Sequence, residues 1–443
     1  MTTSTLVPTP PTRWREVLKW LGPGWVFAAC MIGTGELILT TRAASLYQWA
    51  FLWCVPLITF CKAVATSSML RYGAMTGRNF LRDAWAIKWL KWVVPYCLIA
   101  SLLYLTGIGA HLGITAGTLN LLFPASLSLQ AWIAIVVVLV GAITLLGVYG
   151  VLEKLMMAMT LAISVIIVVV VVRIFPPIAE LAAGLIPQMP PDAVGDTAFI
   201  TWIGLLGWLG AGWGPTLGYT WWAEEKGVGM FSVDQEVALD KLAPHERRRL
   251  KGWLRPVYLD LSFSYLITFL VSSCLYIAGA TVLYPRDLHP SGLFLVETLS
   301  TLFTETIGPW AYYVFLVGAF ATLFSSVIGV VDGLSRSIRH CLRIMWPARM
   351  ARVNSRTLQR VLTLTAIAVP LTFLLVVERP IWLLLLSSML FAPAIGIIFL
   401  ASTYLSLKLP PELRPNRLVV AVSIGTALLM ITTSLWQLIL QLV

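Results

Sequence analysis

Long apolar runs follow one another along the whole chain, separated by short polar connections, and this pattern fixes the fold class. A helix needs about 20 apolar residues to cross roughly 30 Å of hydrocarbon, whereas a barrel strand needs only about 10 alternating ones. Backbone crossing hydrocarbon must also satisfy its own hydrogen bonds, so runs of this length are helices. Composition agrees: of 443 residues, 58% are hydrophobic and 12% charged, with mean hydropathy +0.86, which excludes an ordinary water-soluble domain. The chain reads as an all-α polytopic membrane protein embedded in a lipid bilayer.

The net charge of +11 is spread through the loops instead of forming a basic domain, so it orients helices and implies no nucleic-acid partner. Six cysteines lack metal-type spacing, and five sit in apolar segments, where they behave as small hydrophobes. No early apolar region with a cleavage site is present, so a cleaved signal peptide is not expected. Nothing resembles a P-loop, a catalytic triad or a metal-hydrolase motif; no enzyme and no cofactor are expected.

Residues 1–20 read as a flexible cytoplasmic tail ending in an amphipathic interfacial helix. Eleven spans follow: about 22–47, 50–75, 93–123, 131–149, 154–175, 198–222, 257–283, 308–334, 359–377, 381–407 and 417–440. An N-terminus inside and a C-terminus outside place most of the 31 Lys and Arg on the cytoplasmic side of a plasma (inner) membrane. Arg42, Arg173, Arg286 and Arg379 fall outside, and Lys62 is left within span two.

Two spans are interrupted. Met31-Ile-Gly-Thr-Gly-Glu36 puts two glycines and a carboxylate into span one, and Gly210-Ala-Gly-Trp-Gly-Pro215 breaks span six. Irregular backbone within a membrane is tolerated only inside protein or beside a wet cavity. Breaks five helices apart fit an inverted five-plus-five repeat whose site lies where the broken helices meet. This divides the chain into a tail (1–20), a core (21–407, with repeats at about 21–175 and 198–407) and a peripheral helix 11 (408–443). A packing-only role for these glycines is the competing reading.

From Gly22-Pro-Gly24 through Trp53 to Thr76-Gly77-Arg78, then at Glu153-Lys154, Gly210-Ala211, Pro215 and Ser325-Ser326, the chain resembles the Nramp (natural resistance-associated macrophage protein) superfamily. The resemblance implies a leucine-transporter-type fold and proton-coupled divalent-metal transport. Yet the family's first break reads Asp-Pro-Gly-Asn, and here it is Gly33-Thr34-Gly35-Glu36. The family's Ala-x-x-Met-Pro-His in span six becomes Ala211-Gly-Trp-Gly214-Pro215-Thr216, with the sulfur ligand and both family histidines gone (Thr216 and Trp221 stand in their places).

The expected substrate set is Ile32, Gly33, Thr34, Gly35, Glu36, Ala211, Trp213, Gly214 and Thr216, with Glu36 and the carbonyls of Gly33 and Ala211 as metal donors. Hard oxygens without a thioether suit a magnesium-like ion over a transition metal, with Gly33 and Gly214 leaving room for its water shell. Lys62 complicates this by facing the site, by pairing with Glu36, or by snorkelling or pairing with a distant acid such as Asp260. Gly-Thr-Gly equally suits an organic solute whose carboxylate meets half-helix amides, with Trp213, Tyr219, Trp221 and Trp222 lining a pocket. Trp221 and Trp222 fit an interfacial belt as well. A non-transporting sensor is the third reading. Lys62, His111, Glu153 and Asp260 are candidates for proton or charge relay, although His111 in its Gly- and Ala-rich stretch also fits a plain interhelical hydrogen bond. Glu153 and Asp332 are expected near wet span ends, and Arg336 and Arg339 as positive-inside anchors. Oligomeric state is open.

Overall fold

The computed structural model describes residues 7–124, 126–146, 149–192, 198–233, 237–292, 295–376 and 380–442, whose regular elements are all helices, with no strand among them. Span one comprises Pro23–Met31, a π-helix Thr34–Thr40 and Thr41–Tyr47. Span two is Cys54–Thr76, span three Val93–Leu122, span four Leu129–Leu146 and span five Tyr149–Arg173. Span six comprises Ala198–Trp208 and Trp213–Glu225, and span seven Leu254–Ala278, which runs into a π-helical turn at Gly279–Leu283. Ala311–Met345, Ser355–Val376, Pro380–Leu407 and Arg417–Leu442 are spans eight to eleven. Each expected run is thus helical. By length and composition, seven stretches among the described residues qualify as membrane spans. Span six falls short because it is split, and span two carries Lys62 and Arg71.

Ends follow local chemistry. Gly77 closes span two at φ 67°, its N–H bonded to the Gly73 carbonyl, a left-handed cap that favours glycine. Asn79 then caps the short helix Phe80–Ala86 by accepting from the Leu81 N–H at 3.0 Å. The core is built around span three, on which spans eight and ten both pack, with spans one and six set among them; span eleven lies against spans two and ten.

The breaks are narrower than the sequence suggests. Span one leaves its helix only at Ile32 and Gly33, and span six only at residues 209–212, so Trp213 to Thr216 form the first turn of the second half-helix. Proline is tolerated there because first-turn N–H groups have no helical acceptor. The amino-terminal segment, expected to be a flexible tail, is packed from residue 7 onward. Val7 is buried, Trp253 donates to the Pro8 carbonyl at 3.0 Å, Arg249 bonds Thr9, and Trp20 meets Trp253 edge-on.

Candidate functional site

The two breaks lie against each other. A Cβ on Gly35 would stand 2.9 Å from the Trp208 carbonyl, so only glycine lets span one approach the end of the first half of span six. Glu36, fully buried, spans the gap: its Oε1 accepts the Gly210 N–H at 2.9 Å, and its Oε2 has no hydrogen-bond partner. Gly210 and Ala211 adopt φ 66° and 89°, turning the chain between the half-helices. For Ala211 this is a strained conformation.

Lys62, 1% exposed, reaches this turn from span two. Its Nζ donates to the carbonyls of Gly207, Leu209 and Ala211 at 2.8, 2.9 and 2.9 Å. The final carbonyls of a helix lack donors and carry the negative end of its dipole, so an ammonium is well matched there. Lys62 therefore faces the site, and it neither snorkels nor hydrogen-bonds Glu36 or Asp260. Tyr265 of span seven donates to a fourth carbonyl of the turn, Gly210, at 3.1 Å.

Beside the first break, Ser326 of span eight donates to the Cys30 carbonyl at 2.9 Å, and its Oγ would stand 2.2 Å from a Cβ on Gly33. His111 of span three, 1% exposed, has Cε1 3.4 Å from that same point, and its Nε2 is without a partner. At Gly214 the corresponding space belongs to Tyr104 and Val330, at 3.1 and 3.6 Å. The expected room for a water shell at Gly33 and Gly214 is therefore taken by side chains of spans three and eight. The Ala211 carbonyl, expected as a metal donor, points to the Lys62 ammonium, and the Gly33 carbonyl accepts the Leu37 N–H at 2.9 Å.

Other expected residues have structural partners. Thr216 donates to the Gly212 carbonyl at 2.7 Å within its own helix. Trp213 donates to Ser101 of span three, Tyr219 to Asp260 of span seven, Trp221 to Ser337 and Trp222 to Asp332 of span eight. These four rings are buried ties between spans. Asp260 accepts from the N–H groups of Gly22 and Gly24 and from Tyr219, at 3.1, 2.7 and 2.9 Å, which makes it the cap of span one. Asp332 is 5% exposed and lines a polar cavity with Arg336 and Arg339, and Arg336 bridges it to Glu225 at 3.0 and 3.2 Å. The side chains of Thr34 and Glu153 lie outside the described residues. Tyr265, Ser101 and Tyr104 gave no signal in the sequence, since each is an ordinary residue of an apolar run.

With this geometry in hand, comparison with known proteins gives the family. The profile of natural resistance-associated macrophage protein-like (Nramp) sequences matches residues 24–440, and the chain belongs to that family. An uncharacterised Pasteurella multocida protein is 22% identical over 76% of this chain and 74% of its own length. A rice (Oryza sativa) protein named metal transporter Nramp3 is 23% identical over 71% of this chain, which spans only 55% of the rice protein. Among solved structures, a manganese transporter of Eremococcus coleocola superposes with TM-score 0.67 at 16% identity, over 98% of this chain and 91% of that one. Mhp1, a nucleobase-cation-symport-1 family transporter, gives 0.56 at 15% over 98% and 95%. The fold is the leucine-transporter type, an inverted five-plus-five repeat with spans one and six broken, and the protein is an integral membrane protein.

Proposed function

We propose that this protein is a secondary-active transporter that carries a cation between the two broken helices by alternating access. The observation that carries this reading is Glu36: a carboxylate buried at the contact of the breaks, with one oxygen on the Gly210 amide and the other without a partner. A buried, half-satisfied carboxylate is costly unless a cation or proton completes it. The family's named metal transporters support a divalent cation as cargo. Gly214 in place of a thioether supports a hard, magnesium-like ion, and His111, with Nε2 free beside Gly33, is the best-placed proton acceptor. The loop charges support a plasma (inner) membrane protein with its N-terminus in the cytoplasm.

One observation favours a second cargo. Because Lys62 takes the Ala211 carbonyl, the site would suit an organic solute whose carboxylate meets half-helix amides and whose ammonium group meets Glu36. Binding to purified protein, measured with magnesium, manganese and cadmium against amino acids and small amines, separates the two. Saturable magnesium binding that is lost in Glu36→Gln supports the divalent cargo. Tight cadmium binding argues against the hard-ion site, and stabilisation by an amino acid alone moves the assignment to the organic solute.

A further inference from the structure

Lys62 makes three hydrogen bonds with three N–H groups, and all three acceptors are main-chain carbonyls from one turn, at residues 207, 209 and 211. Part of this arrangement is written in the sequence. The helical partner of the Ala211 carbonyl would be the N–H of residue 215, and residue 215 is proline, which has none. That carbonyl must find a donor elsewhere, in a place sealed from water. The other two acceptors end the half-helix Ala198–Trp208, where the dipole is negative. Three convergent carbonyls at a helix C-terminus form a cradle suited to a monovalent cation. Glu36 supplies the compensating negative charge from the opposite side, through the Gly210 N–H.

We propose that Lys62 is a tethered cation: its ammonium fills a monovalent-cation cradle at the span-six break and holds that turn in shape, so the protein needs no ion from solution there. Lys62 is thus a positioning residue for the turn that carries Gly210 and Ala211. The proposal does not depend on which cargo is carried, and its failure leaves the transport reading standing.

The test is chemical rescue of the full-length chain in detergent. Lys62→Ala removes the ammonium and leaves space for a small replacement. Its thermal midpoint is expected to fall below wild type and to rise saturably with methylammonium chloride, while wild type stays unchanged and choline chloride, too large for the cradle, does nothing. A Lys62→Ala midpoint equal to wild type, or one that methylammonium raises no more than choline, overturns the proposal. Lys62→Met keeps the length of the chain without the charge; it is expected to be destabilised, and wild-type stability in this variant would show that Lys62 only fills volume. If neither variant can be purified, reductive methylation of the wild type followed by mass spectrometry decides. Lys62 is expected to stay unmodified while the exposed Lys88 and Lys91 react, and equal modification overturns the proposal.

Discussion

At the span-six break, Gly207, Leu209, Gly210 and Ala211 each offer a carbonyl, and each receives a hydrogen bond from a side chain of span two or seven. At the span-one break, by contrast, Glu36 Oε2 and the neighbouring His111 Nε2 are buried with no partner. Leaving such groups unpaired costs about 1–3 kcal/mol each, and more for a charge. The difference teaches where the protein is finished and where it is receptive. Those four carbonyls of span six are satisfied by the chain itself, and the polar groups beside span one await something from outside it.

The largest expected effect breaks this comparison at its receptive side. Glu36→Gln is expected to abolish uptake into proteoliposomes while expression and thermal stability hold; normal uptake would remove the carboxylate from the site. Next, Gly33→Ala places a methyl 2.2 Å from Ser326 Oγ and should cost about 1–3 kcal/mol by overpacking, seen as a lowered thermal midpoint. Pairing it with Ser326→Gly should recover most of that loss, and failure to do so would show that Ser326 is not what closes the space. Asp260→Asn weakens the two amide bonds that cap span one and should cost about 2 kcal/mol, with cargo affinity unchanged once stability is restored by lower temperature. A direct loss of affinity would move Asp260 into the transport chemistry. The smallest effect sharpens the satisfied side: Trp213→Phe loses the bond to Ser101 and part of a fully buried ring, about 1–2 kcal/mol, and uptake should persist. Altered cargo selectivity in that variant would show that the ring touches cargo.

Both breaks were legible because glycine and proline punctuate a helix in any context, and Glu36 because a carboxylate in an apolar run is conspicuous. What sequence could not convey was who fills the space around them. The room expected at Gly33 and Gly214 belongs to Ser326 and Tyr104, brought there by other spans. Lys62 was conspicuous for the same reason as Glu36, yet its acceptors are main-chain carbonyls 145 to 149 residues away, and carbonyls are invisible in a list of side chains. The span-six break is shorter than its sequence suggests because proline at position 215 looks like an interruption when it is part of a first turn. The tail reads as loose because proline and threonine dominate it, although Trp253 and Arg249 supply partners for its backbone and hydroxyl groups.

Asp260 has a mechanical consequence. One carboxylate of span seven holds two amides at the start of span one and the hydroxyl of Tyr219 in span six, while Phe27 of span one stacks on Tyr219 with ring centroids 4.4 Å apart. The two interrupted helices are therefore pinned to a third at a common fulcrum. If the proposed alternating access operates, a swing of one would be transmitted to the other as by a pair of levers geared at this point.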